Sequence, residues 1–198
     1  SIFICCSFFY NYGENKNMIS INTPIFASQT SSPEDLINLL EKTDSPEKRK
    51  DIYLSNKDIL TPSFIQSLLV KANDYGFETL SIERSKKKKK IALEISEFKG
   101  DKSWTAKALL YLSLLSVYNI EDYKPSDMQK ASDLFREIGD KKGEGLCYYY
   151  KAKILLTSSG GKDEALQLLN KSQSIFQKTG NELYVGDCYS TKGRIYFL

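Results

Sequence analysis

The side chains of this chain that could carry chemistry are mainly lysines, carboxylates and cysteines, because its 198 residues include no histidine. Without histidine, the chain by itself cannot form a Ser-His or Cys-His nucleophilic pair and offers no imidazole to a metal ion. The segment SSGGK at 158–162 lacks the glycine spacing and the following hydroxyl of a phosphate-binding loop. We therefore expect no enzyme activity, no catalytic residue, no metal site and no cofactor.

The four cysteines give no sign of a metal site or of a disulfide framework. Cys5, Cys6, Cys147 and Cys188 form no CxxC pair and no ladder of short spacings. Cysteines without a disulfide pattern fit a reducing compartment, which predicts a cytoplasmic location. Cys147 and Cys188 occupy equivalent places in two similar segments, where we expect each to be a small buried residue.

Five consecutive lysines, Lys86, Lys87, Lys88, Lys89 and Lys90, form the densest charge in the chain. Five helical residues sweep roughly 400°, so either some of these side chains lie over the core or the helix begins only near the end of the run. The run could be an electrostatic patch for anionic lipid, RNA or an acidic protein, or simply an exposed, partly frayed segment. Few aromatic residues interleave with it, and 28 basic against 25 acidic residues do not favour nucleic acid.

The first 31 residues are expected to be a leader or a poorly ordered segment. SIFICCSFFY at 1–10 is too short to span a bilayer, so no transmembrane segment is predicted. Met18 precedes the first helix signals, which suggests that residues 1–17 are translated upstream sequence. The alternative is a secretory leader cleaved near IFASQ at 25–29.

Residues 32–198 are expected to form one helical domain. Ser32-Pro33, Ser45-Pro46 and Thr61-Pro62 each place a capping hydroxyl before a proline at the first helical position, which predicts three short helices within 32–76 that cap one end of the core. Sustained strand alternation is missing further along. The pattern predicts helices near 78–99, 102–119, 125–138, 143–158, 162–179 and 182–197.

One segment of the sequence occurs in two similar copies. FREIGDKKGEGLCYYYKAKI at 135–154 returns 41 positions later as FQKTGNELYVGDCYSTKGRI at 176–195, and a third copy of the turn stands 39 positions before the first. The three turns are Gly100-Asp101, Gly139-Asp140 and Gly180-Asn181, and small residues recur around them at Ala92, Ala131 and Ser172, at Ala108, Cys147 and Cys188, and at Ser113, Ala152 and Gly193. Small residues at fixed spacing indicate stacked helix pairs that bury apolar surface against their neighbours.

The unit AKILLTSSGGKDEALQLLNKSQSIFQKTGN at 152–181 resembles a tetratricopeptide repeat of the longer, roughly 40-residue kind. Ala152 matches the small position of the first helix, and Ala165, Leu169 and Ser172 match the small, large and small positions of the second. The unit lacks the family's terminal proline and has an extra residue near 159–161, and the preceding unit has Lys124 at a small position. The resemblance covers about 101–198 and implies an all-α, right-handed superhelix of two to four helix-turn-helix repeats within 77–198.

Members of that family bind peptides or partner domains in a concave groove and are seldom catalytic. The resemblance implies a groove lined by Tyr149, Lys153, Asp187, Ser190 and Arg194, with Tyr148 packed in the core. Lys153 and Arg194 fall in equivalent sites and could hold a carboxylate or an acidic peptide, or be ordinary solvated cations.

The predicted function is therefore that of a non-catalytic scaffold for protein–protein interaction, binding a protein or peptide partner that could be acidic. One alternative is a regulatory arm of a larger signalling or enzyme polypeptide, because the sequence stops at GRIYFL within a helical pattern. Another is an electrostatic adaptor to anionic lipid or nucleic acid through the lysine run. An unpaired hydrophobic edge at the last helix would also allow a homodimer.

Overall fold

The computed structural model describes residues 30–73, 79–115, 124–157 and 161–197. The predictions for residues 1–29 lie outside these ranges. Within them every regular element is a helix, which confirms the all-α prediction. The helices are α1 Pro33–Lys42, α2 Pro46–Ser55, α3 Pro62–Asn73, α4 Thr79–Lys99, α5 Lys102–Leu114, α6 Pro125–Glu137, α7 Lys141–Leu155, α8 Lys162–Lys178 and α9 Glu182–Phe197.

The first three helices begin at the predicted caps. The Ser32 hydroxyl accepts from the amide of Asp35 at 3.2 Å, and the Ser45 hydroxyl accepts from the amide of Lys48 at 3.3 Å. Thr61 accepts from the third residue of α3 at 3.2 Å. Each hydroxyl thus satisfies an amide that has no partner within its helix.

The repeated Gly-Asp or Gly-Asn turn has one geometry in three places. Gly100, Gly139 and Gly180 have φ values of 67°, 75° and 67°. Residues that carry a Cβ adopt this left-handed backbone conformation only at a cost in conformational energy. The next residue donates its amide to the carbonyl five positions earlier, at 2.9, 2.8 and 2.9 Å; these pairs are Asp101 to Ser96, Asp140 to Phe135 and Asn181 to Phe176. The sequence repeat is therefore a repeat of local structure.

Packing follows chain order, since each helix from α3 to α9 lies mainly against its sequence neighbours. The buried side chains form three clusters. One joins α1–α5 and includes Leu36, Ile65 and Ile95; the second joins α5–α7 around Met128 and Phe135; the third joins α7–α9 around Leu169 and Phe176. Each of the three clusters draws on at least three described helices, as the repeat pattern predicts.

Both described cysteines are small buried residues, as predicted. Cys147 lies in the α5–α7 cluster and Cys188 in the α7–α9 cluster, and both are free thiols. Burial raises the pKa of Cys147 to about 12, and burial also raises the pKa of Cys188. Neither thiol is therefore activated as a nucleophile at neutral pH.

Candidate functional site

One row of residues is buried in two alternate helices, α5 and α7. In α5 the row consists of Ala106, Leu110 and Ser113, and in α7 the equivalent residues, 39 positions later, are Gly145, Tyr149 and Ala152. All six are buried. The spacing of four and then three residues puts each row on one face of its helix, and each row is covered by neighbouring helices.

The packing of α8 on α7 shows which side chains fit against this row of residues. A Cβ added to Gly145 would lie 2.9 Å from Cε1 of Phe176 and 3.2 Å from Cγ2 of Ile175, both on α8. The Ser172 hydroxyl donates to the carbonyl oxygen of Gly145 at 2.8 Å. The Phe176 ring also stacks on Tyr184, with 4.8 Å between the ring centroids. A missing side chain on α7 thus makes room for an aromatic ring on α8.

The same row is uncovered in α9. Its members are Gly186, Ser190, Gly193 and Phe197, which we call the open face of α9. No heavy atom lies within 4 Å of a Cβ added at Gly186 or Gly193, and Phe197 is 95% exposed. Leu183, Tyr189 and Tyr196 lie on the same exposed side. Exposed apolar side chains clustered on one helix are typical of an interaction surface.

Alanine at the two equivalent glycines is expected to have opposite effects. Gly145→Ala should destabilise the fold by about 1–2 kcal/mol, because overpacking against Phe176 outweighs the gain in helix propensity. Gly186→Ala should stabilise it by about 0.5–1 kcal/mol, since only the propensity changes. Urea denaturation of both variants measures the difference, and a Gly186 variant as unstable as the Gly145 variant would show that the open face is covered within the chain.

The rings of Tyr148 and Tyr149 are placed in the reverse of the expected way. Tyr149 is buried, whereas Tyr148 is half-buried. Burial raises the pKa of Tyr149, and the Thr191 side chain and the charges of Asp187 and Arg194 also act on its hydroxyl. The ring of Tyr149 therefore packs between α7 and α9 and does not offer its face to a partner.

The other predicted groove residues lie along α7 and α9 with different exposures. Lys153 is half-buried, and its Nζ lies 5.5 Å from the ring centroid of Tyr149 and 5.8 Å from that of Tyr150. Asp187 is half-buried, whereas Ser190 and Arg194 are exposed. Ser190 belongs to the open face and Arg194 follows it by one turn. Lys153 is thus engaged by aromatic rings within the fold, while Arg194 is exposed.

The lysine run does not form a uniform patch. Lys88 and Lys89 are buried, as the sweep of a helix requires, while Lys86 and Lys87 are half-buried and Lys90 is exposed. Lys87 pairs with Asp44 at 2.6 Å, and Lys88 lies 3.3 Å from Glu41. Helix α4 continues through the whole run, so the expectation of a frayed segment is wrong.

Two classes of site are missing from the described ranges. No group of three or more acidic or cysteine side chains there is arranged to hold a metal ion. No helix in those ranges has the length and apolar character needed to cross a membrane.

The comparisons with known proteins add no relative: no family model, curated protein or solved structure matches this chain. The resemblance to tetratricopeptide repeats therefore rests on the residues of this sequence and stays a prediction.

The open face of α9 was not among the residues predicted from the sequence, apart from Ser190. Its signal was present in the repeat, because Gly186 stands 41 positions after Gly145. The packing of α8 on α7 is needed to show that a glycine at this position leaves room for an aromatic ring.

Proposed function

We propose that this chain is a non-catalytic protein–protein interaction module that binds an amphipathic helix of a partner protein on the open face of α9. The observation that carries the proposal is the equivalence of three rows. The row is buried in α5 and α7, whereas on α9 Gly186, Ser190 and Phe197 are exposed and Gly193 is half-buried, and small residues stand where a covering helix would approach. A helix laid in an apolar groove is a common mode of peptide recognition.

Helix α8 indicates the chemistry of the partner helix. Gly186 leaves space for an aromatic ring, as Gly145 does for Phe176. An ion pair of 3.4 Å between Lys151 and Glu164 joins α7 to α8, whereas the equivalent residue of α9, Lys192, donates to Gln173 of α8. The exposed Arg194 favours a partner helix with acidic residues in its first turns.

The repeated turns and the order of packing support a finer architectural proposal. We propose that the helix pairs form a right-handed superhelix of the tetratricopeptide type, with α9 as the first helix of a further unit. A partner helix would then occupy the place of that unit's second helix. Two buried reduced thiols are consistent with a cytoplasmic location, which we also propose.

A labelled peptide with the sequence of residues 161–179, which is α8 with one flanking residue at each end, is the direct test. We expect it to bind the whole chain in a fluorescence anisotropy titration. The peptide with Phe176→Ala should bind at least about tenfold more weakly, since it lacks the ring that fills the space at Gly186. The protein variant Gly186→Leu should lose binding by a similar factor while keeping its unfolding free energy.

The matched control is Leu54→Ala, which changes an exposed apolar residue on α2, far along the chain from α9. This variant should bind the peptide normally. If the peptide binds the natural chain and the Gly186→Leu variant equally well, it has displaced α8 from α7 and the proposal fails. Absence of binding to the natural chain overturns it as well.

A further inference from the structure

The open face of α9 has the spacing of two different rows of residues in this chain. Its first three members repeat the intervals of the α7 row that α8 covers. Its full spacing of four, three and four residues is also that of the α8 row that meets α7, which consists of Ala165, Leu169, Ser172 and Phe176. These α8 residues are all fully buried. Helix α9 therefore combines the pattern of the covered helix with that of the covering helix.

The sizes of the residues agree with the spacing. Phe197 takes the place in the open face that Phe176 has in the α8 row, and the two glycines of the open face take the places of two small residues of α8. In the fold, the ring of Phe176 lies against Gly145, which is equivalent to Gly186. A second α9 laid on the first in the manner of α8 would therefore bring Phe197 over Gly186.

The direction of the helices makes such a pair symmetric. Helix α8 runs antiparallel to α7, because Gly145 early in α7 meets Phe176 late in α8, whereas Lys151 late in α7 pairs with Glu164 early in α8. Two identical helices in an antiparallel arrangement are related by a two-fold axis. The contact between the phenylalanine of one copy and the glycine of the other is then made twice, and the assembly closes at two chains.

Two charged residues on one edge of α9 suit the same arrangement. Asp187 is half-buried and Arg194 is exposed, and the described residues give neither side chain an ion-pair partner. They lie three residues before and four residues after Ser190, near the middle of the open face. A two-fold axis places the same edge of each helix side by side, so Arg194 of each copy lies opposite Asp187 of the other. The interface is therefore complementary in charge to itself.

The apolar side chains on this side of α9 provide the driving force for association. Leu183, Tyr189, Tyr196 and Phe197 are each more than half exposed. Burying them between two copies removes apolar surface from water. One helix face on each copy is smaller than a standard protein–protein interface, so we expect a dissociation constant in the micromolar range. Denaturation at lower protein concentrations then measures the single chain.

We propose that the partner helix of the open face is α9 of a second copy of this chain, in a two-fold symmetric dimer. Phe197 of each copy lies against Gly186 of the other, and two ion pairs between Arg194 and Asp187 cross the interface. With Glu182, Asp187 supplies the acidic residues expected in the first turns of the partner helix. This inference rests on the proposed function of the open face and names its occupant.

The test is sedimentation equilibrium of the whole chain over a range of concentrations. We expect a monomer–dimer equilibrium that Asp187→Arg and Arg194→Glu each weaken at least about tenfold, because each change puts like charges opposite one another. The double variant reverses both ion pairs and should recover the affinity. An equimolar mixture of the two single variants should also form dimers, in which opposite charges face each other again. This recovery requires both variants to be folded.

The matched control is Lys48→Glu, which reverses the charge of an exposed residue on α2 and should leave the dimer unchanged. A dimer that tolerates both single variants, or a mixture that does not recover the affinity, would overturn the arrangement. If the chain stays monomeric but binds the α8 peptide, the second copy is not the occupant, although the proposed function stands. If neither the peptide nor a second copy binds, the proposed function fails as well.

Discussion

Phe176→Ala is expected to lower the free energy of unfolding by about 3–5 kcal/mol, the largest effect of any change considered for this chain. Phe176 is fully buried, covers Gly145 on α7 and stacks on Tyr184 of α9. Alanine would leave a cavity where three helices meet, and the glycine cannot supply atoms to fill it. Urea denaturation followed by circular dichroism measures the loss.

The control for this change is Phe197→Ala. Phe197 is 95% exposed, so removing its ring should change the stability by less than about 0.5 kcal/mol. Comparable losses at the two positions would mean that Phe197 is buried in solution, for instance by self-association. A small loss at Phe176 would contradict the packing of α8 between α7 and α9.

Lys89→Met is expected to stabilise the fold by about 2–3 kcal/mol at pH 7. Lys89 is 4% exposed, and the described residues give it no hydrogen-bond or ion-pair partner. Burial removes water from its ammonium group and lowers its pKa from 10.5 to about 8. Methionine keeps most of the length of the side chain without the charge.

The stability difference between Lys89→Met and the natural chain should depend on pH. Between about pH 8 and 10.5 the unfolded chain binds more protons at Lys89 than the folded chain does, so this residue makes stability rise with pH across that window. The advantage of Lys89→Met should therefore be full below pH 8 and disappear by about pH 10.5. Lys90→Met removes an ammonium group from the exposed neighbouring position and is the matched control for the loss of one charge. A pH-independent difference for Lys89→Met would mean that its ammonium is not desolvated.

The parts of the fold that depend on neighbouring residues were predictable. The hydroxyl-proline starts, the three glycine turns and the burial of Cys147 and Cys188 follow from local geometry and from the repeat. Helix bounds agree to within three residues, the largest difference being that α7 runs from Lys141 to Leu155 where 143–158 was expected. The end of α5 expected at 119 lies outside the described residues. Such local rules need no knowledge of distant contacts.

The placement of single side chains was less predictable, because it depends on which helix lies opposite. Tyr148 and Tyr149 are adjacent and chemically identical, so only the direction of α9 decides which ring is buried. The position of the loop between α1 and α2 depends on the pairing of Arg49 with Glu94 of α4, residues 45 positions apart. No local pattern in the sequence reports a contact of that range.

The order of helix packing also has a kinetic consequence. Most helices pack on their sequence neighbours, so native contacts close short loops and the chain should fold quickly for its length. The same arrangement lets the molecule open stepwise, because a helix at one end can detach without breaking the rest. Since α9 has one face uncovered, its amides should exchange with deuterium before those of α7. A bound partner helix should slow the exchange of the α9 amides.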